Sequence, residues 1–397
     1  MAKLMFIHHS GLVGGAGVSL INVIKSVSEQ HEVFVYVPCE PNDMINLLKQ
    51  SEKSHGIKVK TYGRRIGAIT YYSGGDTLKN VRFWYRISLI FMQWKMWNKL
   101  IRECNPDIVI VNSKILCWMS LLREVRKRKS FCFVRETMKG NERSRINKII
   151  SKLLSYYKRV VFISEFDAKC EQLDTSQKKV IHNYIEESQF DLTVSRAEAS
   201  KRLGLREDTF HVLYVGGVSY MKGFDLIVRA VLECGPNVEL VVAGNNCKDA
   251  MSTKNKRILK YVKEWEGIVE KKDRFEQIHM VGKQKDMSNC YASCDVLVFP
   301  MRAAHQSRPA FEAGYFSKPV IITDFDNIAE TVKNGDNGYV VQPDSVEEII
   351  ASIKKLMTNE KERIKMGEHN RQNTEKMHNK EKNINLISEM IKELYEL

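Results

Sequence analysis

At 397 residues, with 43% hydrophobic and 28% charged side chains, the chain is composed like an ordinary globular protein and is too long for one core. That composition excludes a disordered, collagenous or repeat-array chain, and no window of about 18 apolar residues offers a membrane span. The formal charge of +14 lies wholly in residues 1–190, where 31 basic residues face 17 acidic ones, and it is densest over 79–159, with 20 against 5.

In chain order, the opening MAKLMFI is too short for a secretory signal core and reads as a buried strand, Leu4–Ile7. Similar apolar runs follow at Glu32–Val37, Ile108–Val111, Phe131–Val134 and Arg159–Ile163. After the charged helical stretch SRAEASKRLGLRED they resume at His211–Val215, Val238–Ala243, Gln277–Val281, Asp295–Phe299 and Pro319–Ile322. Continuous rather than alternating apolar runs suit strands buried on both faces of a parallel sheet, and the helical patterns between them make repeated βαβ units. The fold class is therefore α/β: two Rossmann-like, doubly wound parallel-sheet domains facing across a cleft, residues 1–190 and 191–397. From about Glu347 the pattern reads as one closing helix of the second domain, with Ile384, Leu386, Ile387, Met390, Ile391 and Leu394 on its apolar side. Nine scattered cysteines with no CxxC point to reduced thiols in a cytoplasmic protein rather than to a zinc site or disulfides.

Three segments carry chemistry. The loop Gly11–Gly17, with Gly14 and Gly15, follows the first strand and opens a helix. Its backbone amides suit an anion, although its spacing is not a dinucleotide fingerprint and it reads equally as a tight turn. In VLYVGGVSYMKGF, Lys222 follows the strand-end pair Gly216 and Gly217 and can reach a phosphate over the strand tips. In CDVLVFPMRAAHQSRPAFEAG, Ser307, Arg308 and Pro309 mark a helix start, with Ser307 as its cap. His305 and Arg308 rim that start for a phosphate, and Glu312, a turn further on, suits paired sugar hydroxyls; as plain structure, Glu312 would answer the helix dipole.

On these residues the second half resembles glycosyltransferase family 4, retaining enzymes of the GT-B fold, from Val212 to about Ile350. The order VGG…KG, VAG, MVGKQKDMSNCYASCDVLVFP, the Glu-bearing helix and Gly335…Gly338 matches. The first half matches more loosely, through the early glycine loop, NPDIVIVNS and KKVIHNYIEES with Asn183. The resemblance implies that Gly216, Gly217, Lys222, Ser307 and Arg308 hold the donor, Lys222 at its diphosphate. It puts Glu312 on the ribose, Gly14 and Gly15 beside the phosphates, and Glu136 of FVRETM with His305 in the active site. Two departures stand out: Ala304 replaces a common Glu, and Gly217 a common Arg. HQSRPAFEAG resembles a branch with His-Gln-x-Arg-Pro, in which His305 and Arg308 would compensate.

The implied reaction carries a sugar from a nucleoside-diphosphate donor to a saccharide acceptor with retention. The nucleotide-sugar is substrate and no further cofactor is implied; no Asp-x-Asp stretch stands in a suitable loop for a metal. A nucleotide-sugar epimerase and a non-catalytic nucleotide-sugar-binding subunit are the alternatives. In residues 79–104, Trp84, Leu89, Ile90, Trp94, Trp97 and Ile101 form a helical apolar face flanked by Arg82, Arg86, Lys95, Lys99 and Arg102. That face reads as a membrane-surface element on anionic lipid, with Arg123–Lys129 and Arg143–Arg159 adding to the patch, or else as a core-packed helix whose charges are simply solvated. The expectation is peripheral attachment to a membrane's cytoplasmic face and a lipid-linked acceptor. No nucleic-acid motif accompanies the charge.

Overall fold

The computed structural model describes residues 1–140, 142–247, 256–269 and 276–396. They form two compact units, Met1–Tyr184 with Asn379–Leu397, and Ile185–His378.

The first unit runs β1 (Lys3–Ile7), α1 (Gly15–Ser28), β2 (Glu32–Val37), α2 (Asp43–His55), β3 (Lys58–Thr61), α3 (Val81–Cys104) and β4 (Ile108–Val111). It continues with α4 (Arg123–Arg126), β5 (Lys129–Val134), α5 (Arg145–Leu154), β6 (Arg159–Phe162), α6 (Glu165–Cys170) and β7 (Lys178–Val180). Its seven parallel strands lie in the order β3-β2-β1-β4-β5-β6-β7, so the order reverses at β1 and β4. β1 and β4 are buried at every residue but Lys3, as the unbroken apolar runs require.

The second unit holds α7 (Arg196–Leu203), β8 (Phe210–Val215), α8 (Phe224–Cys234), β9 (Val238–Ala243), α9 (Lys256–Val269), β10 (Ile278–Gly282) and α10 (Ser288–Ser293). β11 (Val296–Phe299), α11 (Arg308–Tyr315), β12 (Val320–Thr323), β13 (Gly338–Val341), α12 (Val346–Thr358) and α13 (Glu360–Met377) complete it. Its sheet, β10-β9-β8-β11-β12-β13, reverses at β8 and β11, the same winding as the first. Both units are thus Rossmann-like parallel-sheet α/β domains.

Four expectations need correction. The closing stretch is three helices, α12, α13 and α14 (Lys380–Glu396), because Asn359 caps α13 by accepting from the Glu362 amide and a break follows Met377. α14 belongs to the first unit: Ile387, Met390, Ile391 and Leu394 are buried in one cluster with Leu4, Phe6 and Val35. Burying four such side chains contributes roughly 1.5–3 kcal/mol each, which holds the chain's end against the first sheet rather than the second. The chain also passes between units at Tyr184, earlier than residue 190.

The fourth correction concerns α3, which Asn80 caps by accepting from the Arg82 amide and Asn105 ends in the left-handed conformation. Leu89, Ile90, Trp97 and Ile101, expected at a lipid surface, are buried in the first unit's core, and Trp94 packs 6.1 Å from Trp118. A sheet face needs a covering helix stripe, and that stripe is the one taken for a lipid face. Of the expected face only Trp84 stays exposed; it joins Val81, Tyr85, Phe91 and Met92 on the outer side, with Val81, Phe91 and Met92 at 82%, 74% and 76% exposure.

Candidate functional site

In the second unit, the segments that follow β8 and β11 pack against each other at the carboxyl ends of those strands, the Arg302 amide bonding the Met221 carbonyl. A Cβ on Gly216 would stand 2.9 Å from Cδ of Lys222, so the lysine stem crosses the strand-end glycine. The amides of Gly216 and Gly217 both donate to the Ala243 carbonyl, at 2.9 and 3.0 Å, so they are committed within the sheet. Gly217 has φ +61°, and a Cβ there would stand 2.4 Å from the backbone of Asn245. A side chain at that position is therefore excluded by the backbone itself, which accounts for the missing arginine.

Lys222 sits in a short 3₁₀ turn, Tyr220–Lys222, that Gly223 (φ +76°) joins to α8. That turn is clamped from the next loop. Arg302 donates to both carboxylate oxygens of Asp225 at 2.7 Å, to the Tyr220 carbonyl at 2.7 Å and to Asp344 at 2.6 Å, while its amide bonds the Met221 carbonyl. The Lys222 ammonium has no ion pair among the described residues, and burial lowers its pKa.

α11 begins at Arg308 with Pro309 in its first turn. Ser307 occupies the cap position, but its hydroxyl makes no capping bond, contrary to expectation, so the amide end of the helix is not closed by it. Arg308 Nε donates to Glu312 Oε1 at 2.6 Å, and Tyr291 donates to Oε2 at 2.7 Å. Tyr291 is itself fixed by stacking on Phe316, 5.4 Å between centroids. His305 keeps an exposed edge, yet crowding, and secondly the Lys222 charge, lower its pKa and leave the ring uncharged at neutral pH. Tyr291 and Arg302 were not singled out in the sequence.

In the first unit, Gly14 caps α1 and Gly15 opens it; a Cβ on either would touch nothing within 4 Å, so the backbone there faces open space. Glu136 lies just past β5. Its carboxylate accepts from the Ser113 hydroxyl and from the Lys114 and Arg135 amides, the latter two at 2.9 and 3.3 Å, while burial raises its pKa. A further chain of polar contacts was not foreseen: Arg135 Nε donates to Asn112 Oδ1 at 2.6 Å and Arg135 Nη1 to Asn183 Oδ1 at 2.8 Å, and Asn112 Nδ2 reaches His8 Nδ1 at 3.0 Å. Among the described residues no His, Cys, Asp and Glu group has the arrangement of a metal site, and no helix is long and apolar enough to cross a membrane.

Residues 195–373, which contain the whole Lys222–Glu312 constellation, match the family model described as glycosyl transferases group 1. The chain is 25% identical over 201 residues to the capsular polysaccharide biosynthesis glycosyltransferase CapM of Staphylococcus aureus, covering 49% of this chain and 48% of that one. It is 26% identical over 190 residues to the lipopolysaccharide core biosynthesis mannosyltransferase LpsB of Rhizobium meliloti, covering 47% and 52%. The matched stretch spans about half the length of these relatives. Among solved structures, Anabaena Alr3699/HepE in complex with UDP and glucose superposes with a TM-score of 0.77 at 17% identity, over 99% of this chain and 100% of that one. Sucrose-phosphate synthase of Thermosynechococcus elongatus gives 0.76 at 15% identity, over 100% and 99%. At such identities the likeness establishes the fold, two parallel-sheet α/β domains of the GT-B class.

Proposed function

We propose that the chain is a retaining, metal-independent glycosyltransferase that moves a hexose from a nucleoside-diphosphate sugar to a saccharide acceptor. The observation that carries this reading is Lys222, a largely covered ammonium without an ion pair among the described residues, near enough to His305, just before α11, for its charge to lower that ring's pKa. A covered cation gains most from an anion brought to it, and a helix amide end adds to the attraction. The glycosyl transferases group 1 match over 195–373 supports the reading, as do a neighbour solved with UDP-glucose and relatives named for surface-polysaccharide synthesis.

In this mechanism the anomeric carbon–oxygen bond of the donor breaks and the diphosphate leaves with the electron pair. The acceptor hydroxyl bonds to the anomeric carbon on the same face, and its proton passes to the departing phosphate oxygen. Lys222 and Arg308 stabilise the charge that develops on the diphosphate; such preorganised donors supply several kcal/mol, about 2.7–4 for one oxyanion contact. Glu312, held by Arg308 and Tyr291, takes the ribose hydroxyls. His305, uncharged and next to Lys222, meets the donor sugar in place of the group that Ala304 lacks. Gly216 and Gly217 let the Lys222 stem and the Asn245 backbone pack against the strand end and so shape the donor side, and Ser307 borders the phosphate. In the first unit, Gly14, Gly15 and Glu136 serve the phosphate and acceptor sides. Calorimetry with nucleoside diphosphates tests this: Lys222→Ala should weaken binding with little change in melting temperature, and Arg308→Ala should weaken it while also lowering the melting temperature, because it strands the covered Glu312 carboxylate. Unaltered affinity in both variants would overturn the assignment.

The acceptor is proposed to be lipid-linked, met at the cytoplasmic face of a membrane to which the first unit attaches. Support comes from the outer side of α3, where exposed Val81, Trp84, Phe91 and Met92 lead into Lys95, Lys99 and Arg102. Arg126 and Lys152, from the other two basic runs, converge on the ring of Tyr156 at 5.0 and 5.2 Å. Aromatic and apolar groups beside cations suit an anionic headgroup layer, each cation contributing about 1 kcal/mol. Flotation with anionic liposomes should fall with salt, and fall again in Lys95→Glu/Lys99→Glu and in Phe91→Ser/Met92→Ser. No flotation at low salt would return the acceptor to soluble saccharides.

A further inference from the structure

The first unit holds a second concentration of uncompensated positive charge, on the side of its sheet where β1, β2 and β3 end. A pocket of about 370 Å³ opens there between the segment after β1 (His9–Leu12), the segment after β2 (Pro38, Glu40, Pro41), Arg64–Ile66 after β3, and the first turns of α3. The carboxyl ends of parallel strands are where open α/β sheets take ligands. Four guanidiniums line it, Arg64, Arg65, Arg82 and Arg86, against one carboxylate, Glu40.

Only Arg64 is answered: its Nε lies 3.1 Å from Glu40 Oε2. Arg65, stacked 5.8 Å from the Tyr85 ring, has no ion pair among the described residues, and neither do Arg82 or Arg86. Arg82 and Arg86 stand one helical turn apart on α3 and so present their forks to the same pocket. His9 adds a ring nitrogen, Nδ1, that is buried and makes no hydrogen bond. The arrangement is built into the backbone: Gly11 lies so close to Pro41 that a Cβ would stand 2.0 Å from its carbonyl oxygen, and the Met44 amide bonds the Gly11 carbonyl at 2.8 Å.

We propose that this pocket binds a phosphate or pyrophosphate group carried by the acceptor, through Arg65, Arg82, Arg86 and His9. Guanidinium forks match phosphate oxygens two at a time, and three of them unpaired around a small cavity repel one another until an anion enters. A neutral sugar would leave that repulsion in place. A carboxylate would satisfy one fork, whereas a phosphate offers enough oxygens for several. The neutral His9 ring, whose pKa burial and then Arg86 pull down to about 4, can hand a proton-bearing nitrogen to the anion without adding a fourth repelling charge. That the phosphate belongs to an acceptor rests on the glycosyltransferase reading; that the pocket binds phosphate does not.

The test uses the full chain and inorganic pyrophosphate as the probe, followed by calorimetry. In a Lys222→Ala/Arg308→Ala background, which disables the proposed donor site, one equivalent of pyrophosphate should still bind. Adding Arg65→Ala/Arg82→Ala should weaken that binding at least tenfold. Both arginines are exposed, so folding is preserved; Arg82→Glu alone is the check, with the same direction expected. In the parent chain, Arg65→Ala/Arg82→Ala should leave nucleoside-diphosphate affinity unchanged, which separates this pocket from the donor site. The source is distinguished by competition, with glucose 6-phosphate as the soluble phosphomonoester and phosphatidylcholine vesicles containing phosphatidic acid as the lipid one. Displacement by either supports the proposal and names the side from which the acceptor comes. No pyrophosphate binding in the Lys222→Ala/Arg308→Ala background, or binding indifferent to Arg65 and Arg82, overturns it whether or not the donor site stands.

Discussion

Arg308 and Glu312, expected to take different parts of a nucleotide, are bonded to each other, Nε to Oε1 at 2.6 Å across one turn of α11. Both side chains are largely buried, at 13% and 11% exposure, so the pair is fixed in place rather than drifting in solvent. The fork geometry of the guanidinium allows Nε to keep the carboxylate while the other nitrogens turn to a phosphate. Under the proposed donor assignment, the carboxylate aims the cation and the two roles are one device. Glu312→Gln keeps the shape and removes the charge that aims Arg308. A hydrogen bond to a charged group is worth about 1.5–3 kcal/mol, so nucleoside-diphosphate affinity should fall roughly 10- to 100-fold by calorimetry. Affinity equal to the parent's would show that Arg308 needs no such aim.

Tyr291 holds the other oxygen of the same carboxylate at 2.7 Å. Tyr291→Phe leaves the stack on Phe316 intact and deletes one hydroxyl. The expected outcome is weaker donor affinity by roughly tenfold, with the nucleoside alone affected as much as the nucleoside diphosphate, because the ribose contact is what loosens. A loss confined to the diphosphate form would place Glu312 elsewhere on the ligand.

Arg302 ties the turn bearing Lys222 to Asp225 and Asp344, and its side chain is 9% exposed. Removing one partner of a covered ion pair strands the other, at a cost of about 3–5 kcal/mol. Arg302→Met should lower the unfolding free energy of the second unit by an amount of that order, seen as a lower urea midpoint, and weaken diphosphate binding together with it. Asp344→Asn, whose carboxylate is 62% exposed, should do neither.

Central strands were legible in the sequence because burial on both faces leaves nothing but apolar runs. β2, β4 and β9 occupy the residues that the runs mark. The edge strands β3 (KVKT) and β7 (KKV) were not legible, since an edge strand faces solvent along one side and carries charge. β13 (GYVV), also at an edge, was noted only as a motif. The residues proposed for the donor, Lys222, His305, Arg308 and Glu312, stand out through their spacing from strand ends. Tyr291 and Arg302 do not, because each acts through a contact made in space, Tyr291 across 21 residues and Arg302 across 77. The α3 stripe was seen but assigned to lipid: an apolar helix face looks the same whether it covers a sheet or a membrane.

The return of α14 to the first unit makes a stability prediction. Leu394 is fully buried among residues of β1, β2 and α1. Leu394→Ala should cost about 2–5 kcal/mol in urea unfolding. The loss should appear in the transition of residues 1–184, and nucleotide binding to the second unit should persist through it. A loss confined to the second unit's transition would contradict the division at Tyr184 and Asn379.

The polar chain at the end of β1 predicts a pH dependence. Arg135 donates to Asn112 Oδ1, which turns Asn112 Nδ2 toward His8, so His8 Nδ1 must accept and the ring is neutral with its proton on Nε2. Burial first, then His9 and Arg135, hold the His8 pKa well below 6.5; burial and Arg86 bring His9 to about 4. Both folded values lie below the unfolded one, so protonation favours the unfolded chain. The stability associated with the neutral rings is fully present above pH 6.5 and is lost as pH falls from there, for His9 until about pH 4. Glu136 runs the other way, because burial raises its pKa and its ionisation disfavours the folded state as pH rises. His8→Gln offers a carbonyl to accept from Asn112 and cannot be protonated. Urea unfolding at pH 7.5 and pH 5 should therefore show a smaller acid-induced loss in His8→Gln than in the parent, while the two agree more closely at pH 7.5. An equal loss in both would mean that His8 carries its proton in the folded chain, and that Asn112 is turned the other way.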